Sequence, residues 1–238
     1  VRQRARGRAP TTPAAGPGDR YSGAAPNLQI RIQGRALPVD SYQSRSFKIK
    51  ASEMTTKTDL DHRPCWEHGF PFEQYLEEEV EENEDLWTGV YRKARVPDWA
   101  LERAEEIEGS WRLLVIAEDW CGDASNTVPV LARFASETEG VELRVVKRDE
   151  NTELMDGYLT NGGRAIPVAV LLDGDFEPHG HWGPRPEALQ RFVLREKERG
   201  EMETDEIYRE ARRWYARDGG ETTLRELLDL MEDAAADR

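Results

Sequence analysis

Ile116-Ala117-Glu118-Asp119-Trp120-Cys121-Gly122-Asp123-Ala124 is the stretch on which the fold turns. It is preceded by Trp111-Arg112-Leu113-Leu114-Val115-Ile116-Ala117, a short and nearly continuous apolar run. Such a run predicts a strand covered on both faces in a parallel or mixed sheet. A helix is expected to follow over about 123–137, with Val128, Leu131 and Ala135 on one face and Pro129 predicting a kink. Cys121 therefore falls at the seam between a buried strand and a helix N-terminus. There, unpaired backbone N–H groups and the helix dipole favour a thiolate, whereas Asp119 and Asp123 on either side of the sulfur oppose a second negative charge. The plainer alternative for Cys121 is a small buried hydrophobe.

Outward from the seam, the pattern alternates helices and strands. Residues 71–82 are a weak helix candidate, Leu86, Trp87, Val90 and Tyr91 recur at helical spacing, and Pro97-Asp98 opens a segment whose Leu101, Ala104 and Ile107 share a face. Downstream, Val141, Leu143 and Val145 alternate with Glu142 and Arg144 in a half-buried strand. Asn151 is expected to cap a helix bearing Leu154, Met155, Tyr158 and Leu159, which Asn161-Gly162-Gly163 breaks. Residues 167–172 read as a buried strand, Asp173-Gly174 as a turn and 176–182 as the hairpin partner. Pro186 opens a helix with Leu189, Phe192 and Val193 inward. Two amphipathic helices close the chain, one carrying Ile207, Ala211, Trp214 and Tyr215, the other Leu224, Leu227, Leu228 and Met231. Gly219-Gly220 separates them, so an antiparallel hairpin packed on the core is expected.

Composition bounds the function. A chain of 238 residues, 38% hydrophobic and 34% charged, suits one domain with appendages. No stretch approaches the roughly 18 apolar residues of a membrane helix, and the first thirty residues lack the apolar core of a signal peptide. A cytoplasmic protein with no membrane partner is expected. Residues 1–53 carry ten Lys or Arg against three acids, while the whole chain has a net charge of −14, so the remainder carries −21. The basic head lacks periodic apolar residues and is expected to be disordered; Met54 is the first methionine and reads as a plausible natural start. The acidic body argues against nucleic acid as a partner.

From Ile116 onward the chain resembles the thioredoxin superfamily, and more narrowly a bacterial branch of thioredoxin-like proteins. The shared motifs are Glu-Asp-Trp-Cys-Gly-Asp-Ala at 118–124, Arg-Asp-Glu-Asn at 148–151, Tyr-Leu-Thr-Asn-Gly-Gly-Arg at 158–164, Ile166-Pro167, and Trp-Gly-Pro-Arg-Pro at 182–186. The resemblance implies an α/β thioredoxin-like fold without its first strand: a central mixed sheet flanked by helices, with extra N-terminal helices and a C-terminal helical hairpin. The expected organisation is a head over 1–53, a helical segment over 54–110, a thioredoxin-like core over 111–198 and the hairpin over 199–238. A thioredoxin motif carries a second cysteine where Ala124 stands, and a buried acid where Val115 stands. Read from residues alone, Pro167 could open its strand in either isomer; the resemblance implies a cis Ile166-Pro167 bond facing Cys121.

Two functions follow from that resemblance. In one, Cys121 is the nucleophile of a monothiol thiol-disulfide oxidoreductase acting on protein disulfides or low-molecular-weight thiols. Trp120, Gly122, Asp123, Ala124, Ile166 and Pro167 then form its substrate surface. In the other, the same groove binds a peptide or protein without redox turnover. Cys65, in His62-Arg63-Pro64-Cys65-Trp66-Glu67-His68, is read as a loop thiol that could resolve a mixed disulfide; the flanking histidines are a weak zinc signal. No metal or cofactor is expected. His179 and His181 read as polar residues of an edge strand, and Gly162-Gly163 as loop backbone rather than a phosphate cradle.

Overall fold

The computed structural model describes residues 60–238 and, within Val1–Lys48, one antiparallel ladder of Arg31–Ile32 (β1) with Arg35–Ala36 (β2). Apart from that ladder, residues 1–59 lie outside the described residues, and with them the expectations of a disordered head over 1–53 and of a start at Met54.

The apolar run becomes the middle strand of a five-stranded sheet. Trp111–Ala117 (β4) pairs in parallel with Val141–Lys147 (β5) and antiparallel with Val168–Leu172 (β6), which pairs in turn with Pro178–Trp182 (β7). Phe70–Pro71 (β3) lies at the far edge of β5, giving the order β3-β5-β4-β6-β7. The expectation that the first strand is missing is thus corrected: a two-residue antiparallel strand occupies that edge. Its shortness hid it, because an alternation pattern needs about four residues to show.

Residues Leu113 to Ala117 are fully buried, as a strand with apolar residues at successive positions demands. Successive side chains point to opposite faces. Arg112 and Arg144 lie over the Trp66 ring, at 5.8 and 5.3 Å from its centroid, so His62–His68 (α1) covers the face that they share. Cys65 therefore sits on a helix and not on the expected loop. Pro64 disguises this helix, yet in a first turn its missing N–H costs nothing, and Asp61 caps the end by accepting from Arg63 N.

The other predicted helices form with small changes. The segment over 71–82 divides into Phe72–Gln74 (α2) and a π-helical turn, Tyr75–Glu79, which places Tyr75 in the core. Glu84–Lys93 (α3), Asp98–Glu105 (α4) and Gly122–Glu137 (α5) follow, α5 running through Pro129. Thr152–Asp156 (α6) starts after Asn151, but the Asn151 side chain does not cap it. Its amide instead donates to the Lys147 carbonyl at 2.8 Å.

Glu187–Arg199 (α7), Thr204–Asp218 (α8) and Glu221–Ala236 (α9) complete the chain. Leu224, Leu227, Leu228 and Met231 of α9 join the main core, whereas α8 packs Ile207, Ala211, Trp214 and Tyr215 against Leu189 and Val193 of α7 in a smaller cluster. Glu226 of α9 links the two. Its carboxylate accepts from Trp182 Nε1 and from the Glu187 backbone N–H, both at 2.8 Å, and so caps α7 in place of Pro186, which has no side-chain oxygen. No helix among the described residues is long and apolar enough to cross a membrane.

One close approach fixes the loop before α7. Gly183 has φ of +122°, and a Cβ there would lie 2.2 Å from the Pro167 carbonyl oxygen. Gly183→Ala is therefore expected to cost roughly 2–4 kcal/mol, while Gly174→Ala, with open space at its Cβ position, should stay within about 0.5 kcal/mol. Equal denaturation midpoints for the two variants would refute this account of the loop.

Candidate functional site

The turn leaving β4 is held from outside. Asp119 Oδ2 accepts from the backbone N–H groups of Glu81 and Glu82 at 3.0 and 2.7 Å, and its carbonyl accepts from Trp87 Nε1 and Asn83 Nδ2. Asn83 reaches it from a left-handed backbone conformation (φ 57°), which asparagine tolerates. The Asp119 carboxylate is thereby turned toward the α2–α3 connection. There it is engaged by two backbone N–H groups, while Asp123, the other flanking acid, pushes the thiol up.

Cys121 is the N-cap residue of α5, and its thiol donates to the Ile166 carbonyl at 3.5 Å. Ile166-Pro167 is cis, as is Gly183-Pro184. Trp120 is 43% exposed, under the guanidinium of Arg148 at 4.9 Å, but Cys121 is only 8% exposed. The exposed corner of the turn is the indole, whereas the sulfur is buried. Ala124 is fully buried beside the thiol, and Val115, where the resemblance would place an acid, is fully buried as well.

The sulfur's electrostatics are a contest that burial wins. Burial pushes the Cys121 thiol up, the Ala124 N–H pulls it down, the Asp123 carboxylate pushes it up, and the Asp123 N–H and the Arg185 guanidinium pull it down. The net shift is upward. Arg185 contributes little because its charge is already engaged: its Nη2 lies 2.5 Å from Asp123 Oδ2, with the two side chains 12% and 11% exposed. Tyr215 of α8 donates its hydroxyl to Asp123 Oδ1 at 2.9 Å, and Arg185 Nη1 donates to Gln190 Oε1 at 2.8 Å. Burial first, and the Asp123 carboxylate second, push the Tyr215 phenol up, so it serves as a neutral donor.

Sequence reasoning missed three members of this site. Arg185 stood within a quoted motif without a role, Tyr215 was read only as the apolar face of a helix, and Glu118 had none assigned. Glu118 is 8% exposed and accepts from the Asp149 N–H at 2.8 Å, and burial pushes its carboxyl up. Arg185 alone carried a usable signal, a cation between two prolines in Gly183-Pro184-Arg185-Pro186.

Cys65 is not brought to the site. Its charged surroundings are Asp61 and Glu153, those of Cys121 are Asp123 and Arg185, and no disulfide joins them. The histidines also separate. His62 shares a 2.6 Å hydrogen bond with the Tyr158 hydroxyl, and His68 Nδ1 pairs with the Pro64 carbonyl. His179 pairs with Asp173, while His181 packs edge-on against Tyr158. No group of three or more potential metal ligands occurs among the described residues.

A strand-to-helix thiol opposite a proline-bearing loop, on a mixed five-stranded sheet, defines a thioredoxin-fold protein. The chain belongs to the thioredoxin family, whose pattern it matches over residues 69–204, more than half its length. It is similar in structure to a protein of unknown function from Pseudomonas aeruginosa, with a TM-score of 0.59 and 21% identity, covering 74% of this chain and 99% of that one. It is also similar to an HIV epitope-scaffold, with a TM-score of 0.58 and 19% identity, covering 73% and 99% of the two chains. At these identities the likeness is one of fold. No curated protein matches.

The contest at the sulfur has a measurable sign. Alkylation of Cys121 should rise with pH to a midpoint above that of a free cysteine, because the neutral thiol is the favoured form. Asp123→Asn removes the negative charge and frees Arg185, so the midpoint should move down. A midpoint unmoved or raised in that variant, read by mass-spectrometric labelling at Cys121, would contradict the assignment.

Proposed function

We propose that this protein performs thiol-disulfide exchange of the monothiol type through Cys121. The observation that supports it is the placement of the sulfur. It is the N-cap of α5, faced by the N–H groups of Asp123 and Ala124, and lies 3.5 Å from the Ile166 carbonyl on the loop opposite. Those N–H groups stabilise the thiolate that attacks, and the backbone at Ile166-Pro167 offers an edge along which an extended substrate can align. The attacking thiolate forms a mixed disulfide and expels the other half of the substrate as a thiolate. Ala124 offers no second thiol, so an external thiol completes the cycle. The substrates fitting this reading are protein disulfides and low-molecular-weight disulfides in a reducing cytoplasm.

A second reading, a groove that binds a partner without turnover, is favoured by the upward shift of the thiol and by Ala124. Adduct formation separates the two. Under exchange, wild-type protein accumulates reductant-sensitive mixed disulfides at Cys121, and Cys121→Ser abolishes them while keeping the fold. Cys65→Ser leaves them unchanged, since Cys65 lies elsewhere. Ala124→Cys should produce an internal dithiol that bridges under mild oxidant, because the two positions are one helical turn apart. If Cys121→Ser retains every partner and no wild-type adduct answers to reductant, the binding reading replaces this one.

A further inference from the structure

The space in front of Cys121 carries a charge opposite to that of the protein. A cavity of about 640 Å3 opens over Trp120, Cys121 and Ile166, and α8 forms its far wall. Five arginines and two aspartates line it, on a chain with a net charge of −14. The arginines come from four places: Arg148 after β5, Arg164 before Ile166, Arg185 before α7, and Arg209 and Arg212 on α8. Three are already committed, Arg148 to Asp149, Arg164 to both oxygens of Asp156, and Arg185 to Asp123. Arg209 and Arg212 have no carboxylate partner among the described residues. They stand three apart on α8, a spacing that puts both on one helix face, and both are exposed.

We propose that this cavity binds a small disulfide bearing carboxylates, with Arg209 and Arg212 holding the anionic groups while its sulfur meets Cys121. The proposal rests on the reading of Cys121 as the exchanging thiol. Size supports a small molecule, since pockets of about 300–1,000 Å3 enclose ligands of that class. Charge decides against a long acidic peptide. Beyond the groove such a chain runs over a body carrying −21 after residue 53, whereas a compact dianion stays within the arginine field, and screening over about 8 Å separates the two environments. In the exchange the Cys121 thiolate bonds to one sulfur of the ligand and the S–S bond breaks, its electron pair leaving with the other half. The Cys121 sulfur is oxidised to the mixed disulfide, the departing half is reduced to a thiolate, and the Cys121 proton passes to solvent.

The test compares two aromatic disulfides on the full chain, dianionic dithiobis-nitrobenzoate and neutral dithiodipyridine, reading label at Cys121 by peptide mass spectrometry. The expected result is an anionic-to-neutral rate ratio above that of the same two reagents with a free cysteine peptide, falling as salt rises. Arg209→Gln with Arg212→Gln should lower that ratio by about fivefold, while Arg213→Gln with Arg217→Gln, the same charge change outside the cavity on the same helix, should not. A ratio equal to that of the peptide, or lowered equally by Arg213→Gln with Arg217→Gln, overturns the anion site and leaves the exchange reading standing. If neither reagent labels Cys121, the exchange reading fails. Calorimetric titration with thiodibenzoate, a dianion without an S–S bond, then decides the groove alone: binding lost in the double variant retains it as an anion site, and no binding overturns it.

Discussion

The carboxylate of Asp123 is the point on which the site is built. It sits in the first turn of α5, takes an ion pair from Arg185 and a hydrogen bond from Tyr215, and lies largely out of solvent. Those contacts tie together the start of the active helix, the loop between β7 and α7, and the last turn of α8. Nothing local obliges these segments to meet. A buried charge pair stripped of one partner costs about 3–5 kcal/mol, so each member constrains the positions of the other two. The wall of the cavity, the covering of the sulfur and the engagement of the Arg185 charge all follow from that arrangement.

The same arrangement explains the character of the thiol. A helix N-terminus with two N–H groups directed at the sulfur would ordinarily yield a reactive thiolate, and an arginine nearby would add to it. Here the arginine is neutralised by Asp123, and burial favours the uncharged form. Asp119, close in sequence, has its carboxylate held by the backbone of Glu81 and Glu82. The site is thus poised by three long-range contacts rather than by the residues next to Cys121.

Fold and chemistry separate in this family. A protein of unknown function from Pseudomonas aeruginosa shares the fold at 21% identity. A scaffold of this kind permits many functions, and the side chains of the site decide among them. The arginines of α8 line the cavity, while Ala124 beside the thiol and Val115 in the sheet are fully buried.

Much of the architecture was legible in the sequence by itself. The apolar run at β4, the alternation at β5, the hairpin after Leu172 and the amphipathic faces of α3, α4, α5, α7, α8 and α9 are periodic signals carried by neighbouring residues, and they put Cys121 at a helix start. Elements too short to show a period escaped: β3 has two residues, and α1 has a proline in its first turn. Which way Asp119 points, that Tyr215 reaches Asp123 from 92 residues away, and that Cys65 stands apart from Cys121 were decided by tertiary structure alone. The physical reason is that periodicity reports which face of an element is apolar. The pairing of a charge across the molecule depends on where whole elements come to rest, and a linear sequence records no distances between them.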